Sequence, residues 1–177
     1  RRSPGHVDGA ELAVRAVLGQ QISVARARTL ATRLVDEYGE PLPAPAGAVT
    51  RLFPSARALA CVDPQSLPMP RARGQALVAL CELLASGELA LDRSADRRAA
   101  REALLAVPGV GPWTADYIAM RALGDPDVML ETDVGVRNAC RDLGLDPGEI
   151  GRVAGAWRPW RSYALMYLWD SVTREKA

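Results

Sequence analysis

The sequence predicts an all-α chain of about ten short helices. Apolar residues recur at the helical period in its amphipathic stretches, and no stretch carries a strand signal. Two apolar helix-forming runs also meet at a short glycine-rich connection, Pro108-Gly109-Val110-Gly111-Pro112.

Each element has its own reason. Asp8 is placed to cap a first helix, with apolar positions at Leu12, Ala16 and Val17 and an end near Gly19. Ser23 caps a second, in which Ala27, Leu30, Ala31, Leu34 and Val35 keep the 3.6-residue period until Gly39 stops it. The proline-rich run from Pro41 to Pro54 reads as a long loop, followed by short helical pieces over 55–60 and 64–67. A strong amphipathic helix covers 71–86, with Ala72, Ala76, Leu77, Leu80, Leu83 and Leu84 on its core face. A helix over 95–106 leads into the glycine connection. Beyond Asp133, helices are expected over 134–143, 147–154 and 162–173, the last nearly all apolar and therefore buried.

The stretch Leu104 to Leu123, LLAVPGVGPWTADYIAMRAL, is spelled as two helices joined by a hairpin. Gly109 and Gly111 are free to take backbone angles that a side chain forbids and let another molecule approach the main chain. Pro112 suits the first position of a helix, where its missing N–H is no loss. The N–H groups of Gly109, Gly111 and Thr114, with the positive end of the second helix behind them, form a site for one anion such as a phosphate. From the loop alone, a helix–helix turn that needs glycine only for geometry reads equally well. Context adds to the first reading. Trp113 and Tyr117, at i and i+4, share one face of the second helix, and VMLETDVGVRNAC follows, with Asp133 next to Thr132.

Composition sets the class. A chain of 177 residues, 49% hydrophobic and 24% charged, is an ordinary globular protein of one or two small domains. No apolar run approaches the ~20 residues of a membrane span and no signal peptide opens the chain, so no membrane partner and a cytoplasmic, nucleoid-associated location are expected. The net charge is only +1, and Lys176 is the single lysine. Nucleic-acid binding would have to rest on a local arginine surface and on backbone amides. Cys61, Cys81 and Cys140 are odd in number, widely spaced and without a CxxC pair. That excludes a disulfide framework, an ordinary zinc site and a four-cysteine iron–sulfur cluster, and leaves buried free thiols. His6, the only histidine, reads as an exposed loop residue before the first helix, not a catalytic one.

The order of PGVGPWTADY, then LETD, then PWRSYALMYLW resembles the helix-hairpin-helix DNA glycosylases, specifically the AlkA-type 3-methyladenine glycosylases. The resemblance covers nearly all of the chain. It implies a helix-hairpin-helix glycosylase fold over residues 1–177, with the hairpin motif near 99–123 and two helical subdomains around an active-site cleft. The chain is expected to pass from one subdomain to the other near the early helices and to return at the C-terminal one. Many such enzymes begin with a mixed α/β domain that has no counterpart here. Because Arg1 is not a methionine, the chain is expected to be a piece of a longer or fused protein.

Family roles fall on particular residues. Asp133 is the implied catalytic carboxylate: an N-glycosidic bond breaks through an oxocarbenium-like sugar, which a fixed negative charge stabilises, and the same group orients or deprotonates the attacking water. The alternative is an acidic residue that only stabilises the start of its helix, with Thr132 beside it resembling a cap. Glu131 is the less favoured substitute. Trp113, Tyr117 and Trp169 match positions that line the family's base pocket. There stacking offsets part of the cost of rotating a nucleotide out of the duplex, and an electron-rich ring attracts the positive charge of an N-alkylated purine. Such a cation is already a good leaving group, which fits the lack of an evident general acid. Trp157, Trp160 and Tyr163 are assigned to core packing. Gln20, Gln21 and Ile22 match the wedge that fills the gap in the stack, and which of them enters is left open. The carbonyls of Leu105, Val107 and Val110 match a site for one alkali-metal ion, Na+ or K+.

The resemblance implies a monomeric base-excision enzyme that acts on double-stranded DNA containing damaged bases, removes alkylated ones of the 3-methyladenine type and needs no cofactor for catalysis. Relatives that also cut the strand carry a lysine directly after the hairpin, where Trp113 stands, so a monofunctional enzyme is implied. The alternatives are a glycosylase for oxidised or mismatched bases, a bifunctional one, and a non-catalytic helix-hairpin-helix DNA-binding module.

Overall fold

The computed structural model describes residues 3–174, with side chains described up to residue 171. Its described part holds α1 (Gly9–Leu18), α2 (Val24–Tyr38), β1 (Pro41–Ala46), β2 (Val49–Arg51), α3 (Ala56–Ala60), α4 (Arg71–Ser86), α5 (Arg97–Ala106), α6 (Pro112–Arg121), α7 (Val134–Asp142), α8 (Ile150–Val153), a 3-10 turn (Ala154–Trp157) and α9 (Arg161–Arg174). The caps lie where the sequence places them. Asp8 accepts the N–H groups of Ala10 and Glu11 at 2.8 and 3.1 Å, and the Ser23 hydroxyl accepts that of Arg26 at 3.3 Å. No helix among the described residues is long and apolar enough to cross a membrane.

Two clusters of buried side chains organise these helices. The first gathers Leu12, Val14, Val17 and Leu18 of α1 with Leu34, Leu77, Leu80, Leu104 and Ile118, and α1 lies at its centre against α4 and α6. The second gathers Met120, Val136, Cys140, Ile150, Leu165 and Leu168, with α7 packed on α9. Helix α6 belongs to both: Ala115, Ile118 and Ala119 face the first cluster, and Met120 the second. The chain therefore crosses between the clusters once, at α6, and α9 stays with the second. The expected early crossing and late return do not occur, because the apolar face of α1 is spent on α4 and α6.

Several local expectations are corrected. Residues 41–51 form an antiparallel hairpin in place of a loop, pairing Pro41 with Arg51 and Ala46 with Val49 around Gly47 at φ 60°. Prolines on alternate residues hold the extended angle and leave the N–H groups between them free to pair, so a composition that looks like a breaker supports an exposed edge. Residues 64–67 are a turn, closed by the Asp63 carboxylate on the N–H of Gln65 at 2.9 Å. Asp146 takes the N–H of Gly148 at 2.8 Å in the same way and delays α8 to Ile150. Trp160 is 59% exposed, and Tyr167 of α9 57%, so α9 buries one face only. Cys81 and Cys140 are buried, but Cys61 caps α3 and is exposed. Desolvation pushes the Cys81 thiol up to about 12, which leaves it inert.

The loop from α6 to Asp133 is clamped by the start of α9. Arg161 forks onto the Asp127 carboxylate, Nε to Oδ1 at 2.6 Å and Nη2 to Oδ2 at 3.0 Å, with Arg158 at 3.6 Å. The hydrogen bond from Arg161 holds the Asp127 carboxyl below the usual carboxylate range. A carboxyl depressed on folding contributes stability above its unfolded value and loses it as pH falls through the folded one. Thermal melts of the wild type and Asp127→Asn should therefore differ most at neutral pH and converge below about pH 4. A gap that stayed constant with pH would mean that the pair adds nothing to stability.

Candidate active site

The hairpin connects α5 to α6 through a reversed turn, closed by the Val110 N–H on the Val107 carbonyl at 3.0 Å. Gly109 sits at φ 93°, where only glycine is comfortable, and a Cβ there would stand 3.0 Å from that of Ala76. Gly111 differs. As the N-cap of α6 it has φ −88°, an angle any residue adopts, and a Cβ would project into open space. Its glycine keeps the surface bare rather than fitting a special angle, which corrects the shared reading of the two. No side chain caps α6, so the N–H groups of its first turn face outward with the positive end of the helix dipole behind them.

The loop between α1 and α2 leans on this hairpin. Gln20 donates its amide to the Gly109 carbonyl at 3.0 Å and to the Thr114 hydroxyl at 3.1 Å, so its side chain ties the loop to the hairpin. Thr114 is buried and serves as that acceptor. Gln21 stands at φ 55°, the one described non-glycine residue in the left-handed region, and its side chain is exposed. The left-handed backbone turns this one polar side chain outward. Ile22 is half-buried against the first cluster.

Asp133 closes the opposite wall as the N-cap of α7. Its Oδ1 accepts the Val136 N–H at 3.0 Å and the Trp169 indole N–H at 2.8 Å; its Oδ2 accepts the Trp113 indole N–H at 3.1 Å. Three fixed donors thus set the carboxylate's position, the two tryptophans from either side of Asp133 in the sequence. Trp113 stacks on Tyr117 at 5.3 Å and 5°, and Trp169 stands tilted 6.4 Å from Tyr117. Gly135 makes room for this: a Cβ there would lie 3.1 Å from both Asp133 Oδ1 and Trp169 Cδ1. Nothing in the sequence singled it out.

An open cleft of about 1060 Å³ runs between these walls, lined by Gln21, Ile22, Gly111, Trp113, Asp133 and Val134. Val24, Trp113 and Val134, from the starts of α2, α6 and α7, line it; Ser23 caps α2 and the Asp133 carboxylate caps α7, so the uncapped helix end that can meet an anion here is that of α6. Behind Trp113 lies a recess of about 380 Å³, lined by His6, Leu12, Ile22, Trp113, Tyr117 and Arg121. Trp113 and Ile22 border both. Of the three aromatics expected at a base pocket, Trp113 and Tyr117 line the recess, whereas Trp169 lines neither of these two cavities and donates to Asp133. His6 is half-buried in the recess wall rather than exposed. Arg121 is the residue that sequence reasoning passed over; its spacing from Trp113 and Tyr117, i+8 and i+4, could have drawn attention to it.

Among the described residues no cluster of His, Cys, Asp and Glu could hold a metal ion. The carbonyl of Leu105 belongs to the last turn of α5 and those of Val107 and Val110 to the hairpin turn; they are neutral oxygens, a donor set suited to a singly charged alkali ion rather than to a transition metal.

A mostly helical body with an uncapped glycine hairpin and a carboxylate at the edge of the adjoining cleft is the arrangement of a helix-hairpin-helix DNA-repair protein. The chain belongs to the HhH-GPD superfamily of base excision DNA repair proteins, whose family model matches residues 14–152. It is 49% identical over 174 residues to a probable bifunctional transcriptional activator/DNA repair enzyme AlkA of Mycobacterium tuberculosis, covering 97% of this chain and 35% of that one. It is 40% identical over 171 residues to DNA-3-methyladenine glycosylase 2 of Escherichia coli, covering 95% and 59%. The chain thus spans between about a third and three-fifths of these relatives. Its fold is shared with a 3-methyladenine DNA glycosylase from Archaeoglobus fulgidus, with TM-score 0.79, 24% identity and coverage of 96% and 60%. It is also shared with a 3-methyladenine DNA glycosylase of fission yeast solved with abasic DNA, with TM-score 0.78, 21% identity and coverage of 98% and 84%.

Proposed function

We propose that this chain carries a DNA glycosylase that rotates an alkylated base of the 3-methyladenine kind out of double-stranded DNA and hydrolyses its N-glycosidic bond, leaving an abasic site. The observation that carries the reading is Asp133: a half-buried carboxylate held by two indole N–H groups and a backbone amide at the edge of a cleft that also receives the hairpin and Gln21. A purely structural N-cap has no need of two tryptophan donors, and a non-catalytic DNA-binding module has no need of the carboxylate.

In this reading the amides at Gly109, Gly111 and Thr114 hold a phosphate, and the exposed Gln21 enters the vacated stack while Gln20 and Ile22 support its loop. The base passes Trp113 into the recess. As the C1′–N bond breaks, its electron pair leaves with the base and positive charge grows on the sugar, where the Asp133 carboxylate stabilises it. Water then adds at C1′ and gives its proton to Asp133 or to solvent. Catalysis needs no cofactor, and an alkali ion at the Leu105, Val107 and Val110 carbonyls would steady the hairpin. The enzyme acts as a monomer.

Incubating the protein with duplexes that each carry one alkylated, oxidised or mismatched base tests this. Alkaline-labile product from the alkylated set alone is the expected result, and preferential release of oxidised or mismatched bases would replace the reading with its nearest alternative. Strand cleavage through a Schiff base needs an amine at the sugar, and Trp113 stands where relatives carry that lysine. Lys176, the remaining lysine, lies outside the described residues. Borohydride added during turnover should accordingly trap no protein–DNA adduct, and an adduct that survives Lys176→Ala would establish a lyase.

The hairpin gives a separate prediction. Gly111→Asp adds bulk and negative charge in open space without straining the backbone, so affinity should fall for every DNA sequence alike, with thermal stability unchanged. Equal affinity of variant and wild type in a titration would mean that the hairpin is a structural turn.

A further inference from the structure

Trp113, Tyr117 and Arg121 follow one another at i, i+4 and i+8, so they form a ladder along one face of α6. Trp113 stacks on one side of the Tyr117 ring, and the Arg121 guanidinium lies over the same ring, 5.6 Å from its centre. Arg121 is fixed there by neutral acceptors. Its Nε donates to the Pro4 carbonyl at 2.7 Å and its Nη1 to the Tyr117 hydroxyl at 3.3 Å. Among the described residues no carboxylate forms a salt bridge with it. A permanent positive charge with no ion-pair partner among the described residues thus stands, with Arg15 and Arg28 also on the lining, at the wall of a mostly apolar recess. The cation-attracting power of Tyr117 is already engaged by the protein's own guanidinium, which changes what the aromatic ladder offers a base.

Base release always moves one negative charge onto the base. A neutral lesion departs with the electron pair of the C1′–N bond as an anion and later takes a proton from solvent; a cationic N-alkylated lesion departs neutral. A fixed cation beside the base favours the departed form in both cases. It also disfavours the bound state of a lesion that begins with positive charge.

We propose that Arg121 assists departure of the base, as a fixed positive charge that stabilises the electron pair leaving with it, at the cost of weaker capture of cationic lesions. This supplies what the lack of a general acid leaves out. It rests on the glycosylase reading above, and it separates the two ends of the scissile bond: Asp133 acts on the sugar and Arg121 on the base.

The test is single-turnover excision, over a range of protein concentration, from duplexes carrying 7-methylguanine, cationic as its nucleoside, or hypoxanthine, which is neutral. Arg121→Gln is expected to lower the maximal rate about tenfold for both lesions. The half-saturating concentration should fall for 7-methylguanine and stay unchanged for hypoxanthine. Arg121→Lys should restore most of the rate, which a role in packing alone would not predict. Unaltered rates in Arg121→Gln, or a loss that Lys does not recover, would overturn the assignment. For the case in which Arg121→Gln does not fold, the wild type is inhibited with nicotinamide and with its permanently charged analogue 1-methylnicotinamide. The neutral ring should compete at the lower concentration, and equal or reversed potency would overturn the proposal. Absence of excision by the wild type from every duplex would instead defeat the glycosylase reading and, with it, this one.

Discussion

Asp133→Asn is expected to lower single-turnover excision by a factor on the order of a thousand, because the substitution removes the one negative charge among the described residues that line the cleft. The substitution is not silent in the ground state. Oδ1 accepts from Val136 and Trp169 and Oδ2 from Trp113, so all three partners are donors. An asparagine keeps its carbonyl toward the first two and turns its NH2 against the Trp113 indole N–H, leaving a donor pair unsatisfied at a cost of about 1–3 kcal/mol. Loss of activity in this variant alone would therefore mix chemistry with structure. Adding Trp113→Phe removes the opposing donor, so the double variant should recover thermal stability relative to Asp133→Asn and still excise far more slowly than Trp113→Phe alone. Recovery of excision along with stability would show that Asp133 is a structural cap and nothing more.

Much of this arrangement was legible in the sequence, because its signals are local. Asp8 and Ser23 cap helices by reaching two or three residues ahead, and the 3.6-residue period of α2 needs no partner to be read. The pairing of Trp113 with Tyr117 follows from helical spacing alone. What escaped depends on distant contacts. Trp169 reads as one more pocket aromatic until the fold brings it 36 residues back onto Asp133. Gln20 and Gln21 are adjacent and identical, and only the hairpin, 89 residues away from Gln20, decides that the first is tied down while the second stands exposed. Residues 41–51 mislead for the opposite reason: proline reads as a breaker, although on alternate positions it suits an edge strand. Trp160, exposed on the surface, was assigned to the core on chemistry alone, which carries no information about direction.

The same dependence on distant contacts makes Ser162→Ala the substitution expected to destabilise the protein most for the fewest atoms removed. Ser162 is fully buried at the start of α9, with its N–H on the Pro126 carbonyl at 2.9 Å. Its hydroxyl accepts the Val128 N–H at 2.9 Å and donates to the Asp125 carbonyl at 2.7 Å. One oxygen thus satisfies a donor and an acceptor of the loop that carries the chain from α6 to Asp133. Alanine strands both, and each stranded group costs about 1–3 kcal/mol, a large share of the roughly 5–15 kcal/mol that holds a domain together. Denaturant titration should show a lowered midpoint with little change in slope, since the surface exposed on unfolding is nearly the same. Excision should fall as well, because Asp133 loses the anchor of its approach, and it should recover in part at lower temperature, where folded protein persists. A midpoint within error of the wild type would mean that the loop is held by the Arg161–Asp127 fork alone, and Asp127→Asn would then produce the loss assigned here to Ser162.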